Sequence, residues 1–364
     1  MNCSICSSEK YLTILDKGEI PIWDGSCKSN NGMFFSNLRQ CEKCGHVYQN
    51  IPTELSKKLT KIYNSENAQA STETGDGNWG KERAKLFLKN IDYKKYNSVI
   101  EIGCANGYLL KFLQNEGYEN LIGIDPSLSN NFKFEKIEFI KAFANEDTFL
   151  KKKVDLIFSN AVFEHIENIR GVLKFCKNHL NQDGELFFAI PNSQIELEKG
   201  DPALFIHQHV HYYSENVLRY LLAKNGFQVN SIKKECNAIY VSARSKKIDI
   251  HNYTPDFYSD YSKILNKKLN EFKMIMKSSD KIIIHGANNK LNNILGWTSH
   301  DFDFILADND ENKLNKIFFG KKVRSIKDIN LSDYQNILII PSCFFEQIKN
   351  NYLELGYKGN FLHV

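Results

Sequence analysis

The chain has 364 residues, of which 42% are hydrophobic and 25% are charged, and its formal net charge is +4. These are ordinary values for a globular protein, and the length suffices for two or three domains with a sizeable core. The small, scattered charge disfavours a nucleic-acid partner, which needs a concentrated basic face. No apolar run has the length of a membrane span and no signal peptide is recognised, so we expect a soluble, cytoplasmic protein.

The first block of the chain holds two cysteine pairs. Cys3-x-x-Cys6 and Cys41-x-x-Cys44 are turns that each direct two sulfur atoms toward one point. Two such turns supply the four thiolates of a tetrahedral zinc site, and a site closed by four protein ligands is structural. Unpaired or redox-active thiols are the alternative. The other cysteines have no partner spacing and are expected to be small core residues: Cys27, Cys104, Cys176, Cys236 and Cys343.

Strands and helices alternate through the middle of the chain. A polar, glycine-rich stretch over 64–80 comes first and indicates a loop or lid. Apolar runs then predict strands at 98–102, 121–125, 137–141, 154–159, 185–190, 227–233 and 239–243. Helical periodicity predicts helices near 79–91, 107–116, 169–180 and 214–225. This order favours a doubly wound, Rossmann-like α/β sheet.

A smaller α/β unit follows. The pattern at 254–277 is that of one helix, and strands are predicted at 281–285, 302–307 and 337–340. A small-residue turn at Gly286 follows the first of these strands. We expect this unit to shape and close a substrate cleft, with a separate nucleotide site as the alternative.

An apolar run over 99–102 ends in a glycine turn, and an amphipathic helix follows. The turn has the sequence Glu101-x-Gly103-x-Ala105-x-Gly107, in which small residues let the backbone approach a ligand closely. Its glycine spacing is G-x-x-x-G and not the G-x-G-x-x-G that cradles a pyrophosphate. The turn therefore favours S-adenosylmethionine (SAM), which has no phosphate, and a SAM-dependent methyltransferase. Another nucleotide bound by a Rossmann-like domain is the alternative.

Residues at the ends of the next strands complete the predicted cofactor site. Asp125 follows the second apolar run about 20 residues after the glycines, where it is expected to hold both ribose hydroxyls. Ala142 and Phe143, after the third strand, are expected to flank the adenine. Ligands of open α/β sheets lie beyond the carboxyl ends of the strands. We therefore expect Asn160 and His165, after the fourth strand, to lie near the sulfonium and its methyl group.

Three alternating histidines, His207, His209 and His211, precede a helix with Ser214 as its predicted N-cap. Methyl transfer is an in-line displacement in which the enzyme aligns the nucleophile and removes its proton, and imidazole titrates near neutrality. A catalytic base is therefore predicted here, with metal binding and a structural role as alternatives. The Asn/Asp-Pro-Pro-aromatic tetrad typical of enzymes that methylate nucleobase amines is absent, which argues against N-methylation of DNA or RNA.

Taken together, these segments resemble SAM-dependent sugar C-methyltransferases with an N-terminal zinc module, as in the C-3 methyltransferases of deoxysugar biosynthesis. The resemblance covers nearly the whole chain. It rests on the cysteine pairs, the glycine turn, the segment 159–165 (Ser-Asn-Ala-Val-Phe-Glu-His) and the segment 206–210 (Ile-His-Gln-His-Val). With the predicted elements it gives four parts. These are a zinc-binding module over 1–62, a SAM-dependent methyltransferase domain over 63–245, a helical linker over 246–280 and a Rossmann-like domain over 281–364.

The resemblance also implies roles for single residues. His209 would be the base that takes a proton from a carbon beside a keto group, and His165 would be a second catalytic histidine. Tyr63 is similar to a family tyrosine that contacts the substrate. Two positions differ, because the family's tyrosine is Ile206 here and its glutamate is Gln208. Neither side chain exchanges a proton, so O-methylation of a sugar hydroxyl stays open beside C-methylation.

Two further classes of function are weighed against this enzyme. One is a non-catalytic scaffold that binds SAM and zinc. The other is an RNA methyltransferase, which is disfavoured because acidic residues offset the lysines around the cysteine pairs. The expected partner is a nucleotide-linked sugar or another small-molecule substrate, without nucleic acid or membrane, and the expected state is a monomer or homodimer.

Overall fold

The structure is a computed structural model that describes residues 2–23, 32–34, 37–63, 77–129, 132–248, 250, 253–279, 281–298 and 302–364, with the backbone alone at 62–63 and 77–79. Cys27 lies outside the described residues, as does most of the predicted loop at 64–80. Among the described residues, no helix combines the length and the hydropathy that a membrane span requires.

The strands, numbered in chain order, are β1 (Tyr11–Leu15), β2 (Ile20–Pro21), β3 (Met33–Phe34), β4 (Leu38–Cys41), β5 (Val47–Gln49), β6 (Ser98–Ile102), β7 (Asn120–Ile124), β8 (Glu138–Ile140), β9 (Val154–Asn160), β10 (Leu180–Pro191), β11 (His211–Tyr212), β12 (Phe227–Glu235), β13 (Ala238–Ser245), β14 (Ile282–His285), β15 (Ile305–Ala307), β16 (Ile317–Phe318), β17 (Lys321–Arg324), β18 (Asn336–Ile339) and β19 (Asn360–His363). The α-helices are α1 (Thr53–Tyr63), α2 (Gly77–Asn90), α3 (Tyr108–Asn115), α4 (Ile169–His179), α5 (Ser193–Lys199), α6 (Glu215–Lys224), α7 (Tyr261–Ser278), α8 (Asn289–Thr298) and α9 (Phe345–Glu354).

The described chain forms two compact units. The first comprises Met1–Thr13, Leu38–Gln194 and Gln208–Phe257, and the second comprises Ile14–Asn37, Ile195–His207 and Tyr258–Val364. Both cysteine pairs thus belong to the same unit as the glycine turn. The four-part division remains a prediction.

The first unit is built on a sheet with the strand order β12-β13-β10-β9-β6-β7-β8. Its strands β10, β9, β6, β7 and β8 pair in parallel, whereas β13 pairs antiparallel with both β10 and β12. Apolar residues of the central strands are buried, as expected for a parallel sheet covered by helices. The predicted doubly wound, Rossmann-like fold is confirmed. From β6 the strand order runs in one direction to β7 and β8 and in the other direction to β9 and β10. Such sheets bind their ligands at this reversal, beyond the carboxyl ends of the strands.

A second sheet, whose strands β4, β5 and β11 belong to the first unit, connects distant segments. Its order is β1-β4-β5-β11, and β11 pairs antiparallel with β5 through His211 opposite Tyr48 and Tyr212 opposite Val47. Because β11 has two residues, no periodicity marks it in the sequence. The pairing joins β11, which contains His211, to β5, which follows the second cysteine pair.

The second unit has its own mostly parallel sheet, with the order β16-β17-β15-β14-β18-β19. The smaller α/β unit predicted from the sequence is therefore present. The helix predicted over 254–277 begins at Tyr261 instead. The residues before it are engaged in hydrogen bonds of the first unit, because Tyr253 donates to the Cys44 carbonyl at 2.7 Å and the Asp256 carbonyl accepts from Gln40 at 2.9 Å.

Candidate functional site

The glycine turn between β6 and α3 is the centre of the predicted cofactor site. Gly103 and Gly107 have φ angles of 75° and 74°, a region that glycine adopts without cost. A Cβ atom at Gly103 would overlap the Val162 side chain, and one at Gly107 would lie 2.6 Å from Phe139 Cζ. The turn therefore requires glycine at both positions. It also lies directly against the segment that follows β9.

Asp125 is fixed beside this turn. Its Oδ2 accepts a hydrogen bond from the Ala105 backbone N–H at 2.9 Å, and its Oδ1 accepts from the backbone and hydroxyl of Ser127 at 2.8 and 2.6 Å. Ala105 itself has a φ of 46°. The carboxylate is thus oriented at the carboxyl end of β7, the position expected for a ribose-binding acid.

Glu101 lies below the turn, within the sheet. It is 3% exposed, and its Oε2 has no hydrogen-bond partner among the described residues. Burial raises the pKa of Glu101 well above its usual range, and the neighbouring charge of Asp125 adds to this effect. A buried carboxyl with a free oxygen costs free energy until a donor reaches it. The positively charged ammonium of SAM is such a donor, so this residue fits the predicted cofactor.

The turn after β8 carries the residues predicted to flank the adenine. Ala142 packs against the hydrophobic core, whereas the Phe143 side chain is 64% exposed. The Phe143 carbonyl accepts a hydrogen bond from Thr148 Oγ1 at 2.7 Å, which fixes the backbone of this turn. An exposed aromatic side chain on an ordered turn has the form of a stacking surface, and the adenine role remains a prediction.

The segment after β9 brings two candidate residues to the end of the sheet. Asn160 is the last residue of β9 and is buried. The chain then enters a short 3₁₀-helix, Phe163–His165, immediately after Val162. Because Val162 lies against Gly103, this 3₁₀-helix begins next to the predicted SAM loop.

His165 and His209 form a pair of imidazoles. Their ring centroids are 4.8 Å apart with the planes at 80°. His165 Nδ1 lies 2.9 Å from the Gln208 carbonyl oxygen, and the Val210 N–H donates to the Glu164 carbonyl at 2.7 Å. These bonds join the segment after β9 to residues 208–210, which include His209. The structure therefore brings together two histidines that are 44 positions apart and that the sequence placed separately near the methyl group.

Glu164 completes a three-residue cluster that we name the Glu-His-His cluster: Glu164, His165 and His209. Each residue offers one oxygen or nitrogen atom, and these atoms all lie within 4.8 Å of one another. Burial raises the pKa of Glu164 to about 8 and lowers the pKa of His165 to about 4. Burial, and then the neighbouring His165, lowers the pKa of His209 well below its usual range. At neutral pH both histidines are thus neutral and can accept a proton.

The three alternating histidines have different surroundings. Only His209 belongs to the Glu-His-His cluster. His207 Nε2 lies 2.9 Å from the Phe34 carbonyl oxygen, and His211 Nε2 lies 2.9 Å from the Ile166 carbonyl oxygen. Tyr63 ends α1, and its side chain lies outside the described residues.

The four paired cysteines meet at one point. Their sulfur atoms all lie within 4.8 Å of one another, with Cys3 to Cys44 at 3.6 Å and Cys6 to Cys41 at 3.4 Å. These distances exclude disulfides, whose S–S bond is about 2 Å, and they are near the roughly 3.8 Å edge of a tetrahedron with 2.3 Å zinc–sulfur bonds. Hydrogen bonds from Cys3 and Cys44 lower the pKa of Cys41. The donor set fits a tetrahedral thiolate site.

A chain of side chains extends from this cysteine cluster. Cys3 Sγ lies 3.7 Å from His46 Nδ1, and His46 Nε2 lies 3.2 Å from His211 Nδ1. His211 in turn contacts the Ile166 carbonyl, next to His165. His46 and His211 are both buried. No role was predicted for His46, and its contact with Cys3 depends on the fold because the two residues are 43 positions apart.

The remaining cysteines divide into two groups. Cys104 and Cys176 are buried, as predicted. Cys236 is only partly buried and Cys343 is exposed, so their prediction as core residues is wrong. Cys236 lies in the β12–β13 hairpin with a φ of 46°, and Cys343 lies in the 3₁₀-helix Ser342–Phe344. Residue type alone does not reveal either environment.

Comparison with known proteins agrees with this fold. A family model described as "Methyltransferase domain" matches residues 32–232. Malonyl-[acyl-carrier protein] O-methyltransferase of Acetivibrio thermocellus is 25% identical over 142 residues, which are 37% of this chain and 50% of that protein. tRNA U34 carboxymethyltransferase of Campylobacter hominis is 31% identical over 120 residues, which are 31% of this chain and 42% of that protein. The chain spans about half the length of these curated relatives.

The structure of N-methyltransferase NodS from Bradyrhizobium japonicum with S-adenosyl-l-homocysteine is similar over 52% of this chain and 98% of that one, with 15% identity and a TM-score of 0.39.

Proposed function

We propose that this chain, which belongs to the methyltransferase-domain family, transfers the methyl group of SAM to a sugar-like, nucleotide-linked acceptor. The observation that carries the proposal is the imidazole pair of buried His209 and partly buried His165, whose ring centroids lie 4.8 Å apart. Each neutral imidazole carries a lone pair that can take up a proton, and burial makes both rings weaker bases than a free histidine. The segments 159–165 and 206–210, which resemble those of sugar C-methyltransferases, support the acceptor class.

The proposed reaction is methylation of a carbon next to a keto group. His209 takes the proton from that carbon, and His165 lines the same pocket. His165 donates through Nδ1 to the Gln208 carbonyl, because a carbonyl oxygen accepts only. Its Nε2 is therefore the atom that carries a lone pair. Tyr63 is proposed to contact the acceptor.

SAM supplies an electrophilic methyl group on a positively charged sulfur. Glu101, Gly103, Ala105 and Gly107 are proposed to receive its methionine part. Asp125 is proposed to hold the ribose, with Ala142 and Phe143 beside the adenine and Asn160 near the sulfonium. The unsatisfied oxygen of Glu101 and the close approach permitted by the glycines support this arrangement.

We further propose that Cys3, Cys6, Cys41 and Cys44 hold a structural zinc ion. Four converging, buried sulfur atoms without a disulfide support this site. A metal bound by four protein thiolates has no open position for a substrate, so its contribution is to folding. The cluster shares a hydrophobic core with the methyltransferase sheet, which makes a folding role for the whole first unit reasonable.

The test is methyl transfer with a panel of acceptors in heavy water, followed by mass spectrometry. The panel contains nucleotide-linked sugars with and without a keto group, and also malonyl-[acyl-carrier protein] and tRNA, which the curated relatives' names indicate. Methyl gain by a keto-sugar, with deuterium at its ring carbon when SAM is omitted, is the expected result. Methyl gain without exchange would indicate O-methylation. Transfer only to the protein or tRNA acceptor would overturn the sugar proposal, and no transfer would favour a non-catalytic scaffold.

A further inference from the structure

One polar group of the Glu-His-His cluster has no role in the reaction described so far. Glu164 is 2% exposed, yet its Oε2 has no hydrogen-bond partner among the described residues. Its Oε1 lies 3.8 Å from His165 Nε2. A buried polar atom without a partner is unfavourable and marks a place where a ligand atom completes the site. That atom lies in the same cluster as the proposed base.

The protonation states of the cluster distinguish its members. His165 Nε2 and one nitrogen of the neutral His209 carry lone pairs. Burial raises the pKa of Glu164 to about 8, while its own backbone N–H and the charge of Arg83 act in the opposite direction. The balance leaves a neutral carboxylic acid at pH 7. The cluster thus contains proton acceptors and one O–H donor within 4.8 Å.

We propose that Glu164 is the general acid of the reaction, which donates a hydrogen bond and then its proton to the carbonyl oxygen of the acceptor while His209 takes the proton from the neighbouring carbon. This proposal rests on the proposed function and adds a catalytic residue to it. An acceptor with its carbon about 3 Å from the base and its oxygen about 3 Å from the acid fits groups at this separation. A neutral carboxylic acid in an apolar site is an effective donor to a developing oxyanion.

The proton and electron balance is complete without another reactant. The C–H bond breaks, its proton goes to His209, and its electron pair forms a C=C bond. The carbonyl π pair moves to oxygen, which takes the Glu164 proton. The enol carbon then attacks the methyl carbon, and the S–CH₃ electron pair remains on sulfur. As the C=O bond re-forms, the proton of the enol O–H group returns to Glu164. His209 releases to solvent the proton that it took from carbon.

The sequence and the backbone support this assignment. Carbonyl chemistry needs a donor at the oxygen, and neither Ile206 nor Gln208 can transfer a proton. The Val210 N–H donates to the Glu164 carbonyl, and the Gln208 carbonyl accepts from His165. These two bonds join the Glu164 backbone and the His165 side chain to the residues on either side of His209. Both side chains of the proposed acid–base pair are buried, with His209 7% and Glu164 2% exposed.

A divalent cation is the competing occupant of this cluster, since two histidines and a carboxylate are a common metal-binding set. A cation requires the ionised carboxylate, whereas the proposed acid role requires the protonated carboxylic acid. The two occupants therefore make opposite predictions for the charge of Glu164 and for the metal requirement of the reaction.

The test compares wild type with Glu164→Gln, and with Glu196→Gln as a matched control. Glu196 lies in α5, and burial likewise raises its pKa to about 8, but it has no place in the proposed reaction. Three quantities are measured: methyl transfer to whichever acceptor the panel identifies, solvent deuterium exchange without SAM, and SAM affinity by calorimetry. Infrared difference spectra at pH 7 report the carboxylic-acid C=O band that each substitution removes.

We expect Glu164→Gln to lower transfer and exchange by about 10²–10³-fold, with SAM affinity unchanged and one carboxylic-acid band lost. The Glu196 control should retain both activities. Glu164→Gln activity within about threefold of wild type would overturn the acid role, as would dependence of exchange on added Mg²⁺ or Mn²⁺. An unchanged infrared band would overturn it even if wild type methylates sugars. Turnover of a non-sugar carbonyl acceptor that needs Glu164 would retain the acid and reject only the sugar.

Discussion

The contact between Gly103 and Val162 predicts a specific energetic coupling between the glycine turn and the segment after β9. The perturbation is Gly103→Ala, alone and combined with Val162→Ala. A Cβ atom at Gly103 would overlap Val162 Cγ2 and lie 3.0 Å from Cγ1 and 3.1 Å from Cβ. Truncation of Val162 removes the first two of these atoms. The backbone conformation at Gly103, with φ of 75°, is unaffected by that truncation.

The magnitude follows from two separable costs. A left-handed backbone costs alanine about 1–2 kcal/mol relative to glycine, and an overpacked contact costs about 1–3 kcal/mol. Gly103→Ala should therefore lower the free energy of unfolding by about 2–5 kcal/mol. Val162→Ala, at a partly buried position, should cost about 1 kcal/mol. In the double variant the overlap is relieved and the backbone cost remains, so the two substitutions should couple favourably by about 1–2 kcal/mol.

Urea unfolding of the four proteins gives the coupling in stability, and calorimetry gives the same cycle for SAM affinity. Gly117→Ala is the matched control, because Gly117 also has a positive φ, of 96°, but no atom within 4 Å of an added Cβ. It should show the backbone cost and no coupling with Val162→Ala. If the two substitutions change the free energy of unfolding additively, the Gly103–Val162 contact does not constrain the turn. The predicted coupling is then wrong.

Three further predictions concern the reaction, the cysteine cluster and pH. His209→Ala should lower kcat/KM by about 10²–10⁴-fold with SAM affinity within about twofold of wild type, and near-normal turnover would exclude His209 as the base. Cys41→Ser should lose bound zinc by elemental analysis and lower the Tm of the first unit by several degrees, whereas identical melting with and without metal would refute the structural role. Because the folded pKa of Glu164 is raised, its contribution to stability is complete below about pH 4.5 and is lost as pH rises toward 8. Glu164→Gln should therefore gain stability over wild type from pH 5 to 8, by at most about 5 kcal/mol, and a constant difference between the urea curves would contradict the raised pKa.

Local patterns in the sequence were sufficient to predict the strands at the centre of the seven-stranded sheet. The apolar runs predicted strands at 98–102 and 121–125, and the structure has Ser98–Ile102 and Asn120–Ile124. Such strands are buried on both faces and therefore read as continuous apolar runs. The helix N-cap at Ser214 is confirmed by its hydrogen bond from the Val217 N–H at 3.3 Å. These features depend on neighbours within a few positions.

Features that depend on distant segments could not be predicted. Glu164 precedes His165 in a segment that was recognised, but its place beside His209 requires the Val210 N–H bond to the Glu164 carbonyl. The start of α7 was predicted too early, because hydrogen bonds at Asp256 oppose the local helical pattern. In both cases, tertiary contacts decide what local propensity leaves open.

The pairing of β5 with β11 also has a consequence for the order in which the chain is made. His46 and His211 are separated by 165 positions. At about 5–20 residues per second, a ribosome needs roughly 8–33 s to add them. Throughout that interval β5 has one edge without its final partner, and an unpaired strand edge is a template for aggregation. The cysteine turns, whose own residues are complete by position 44, can close first and hold β4 and β5 compact until the histidine segment emerges.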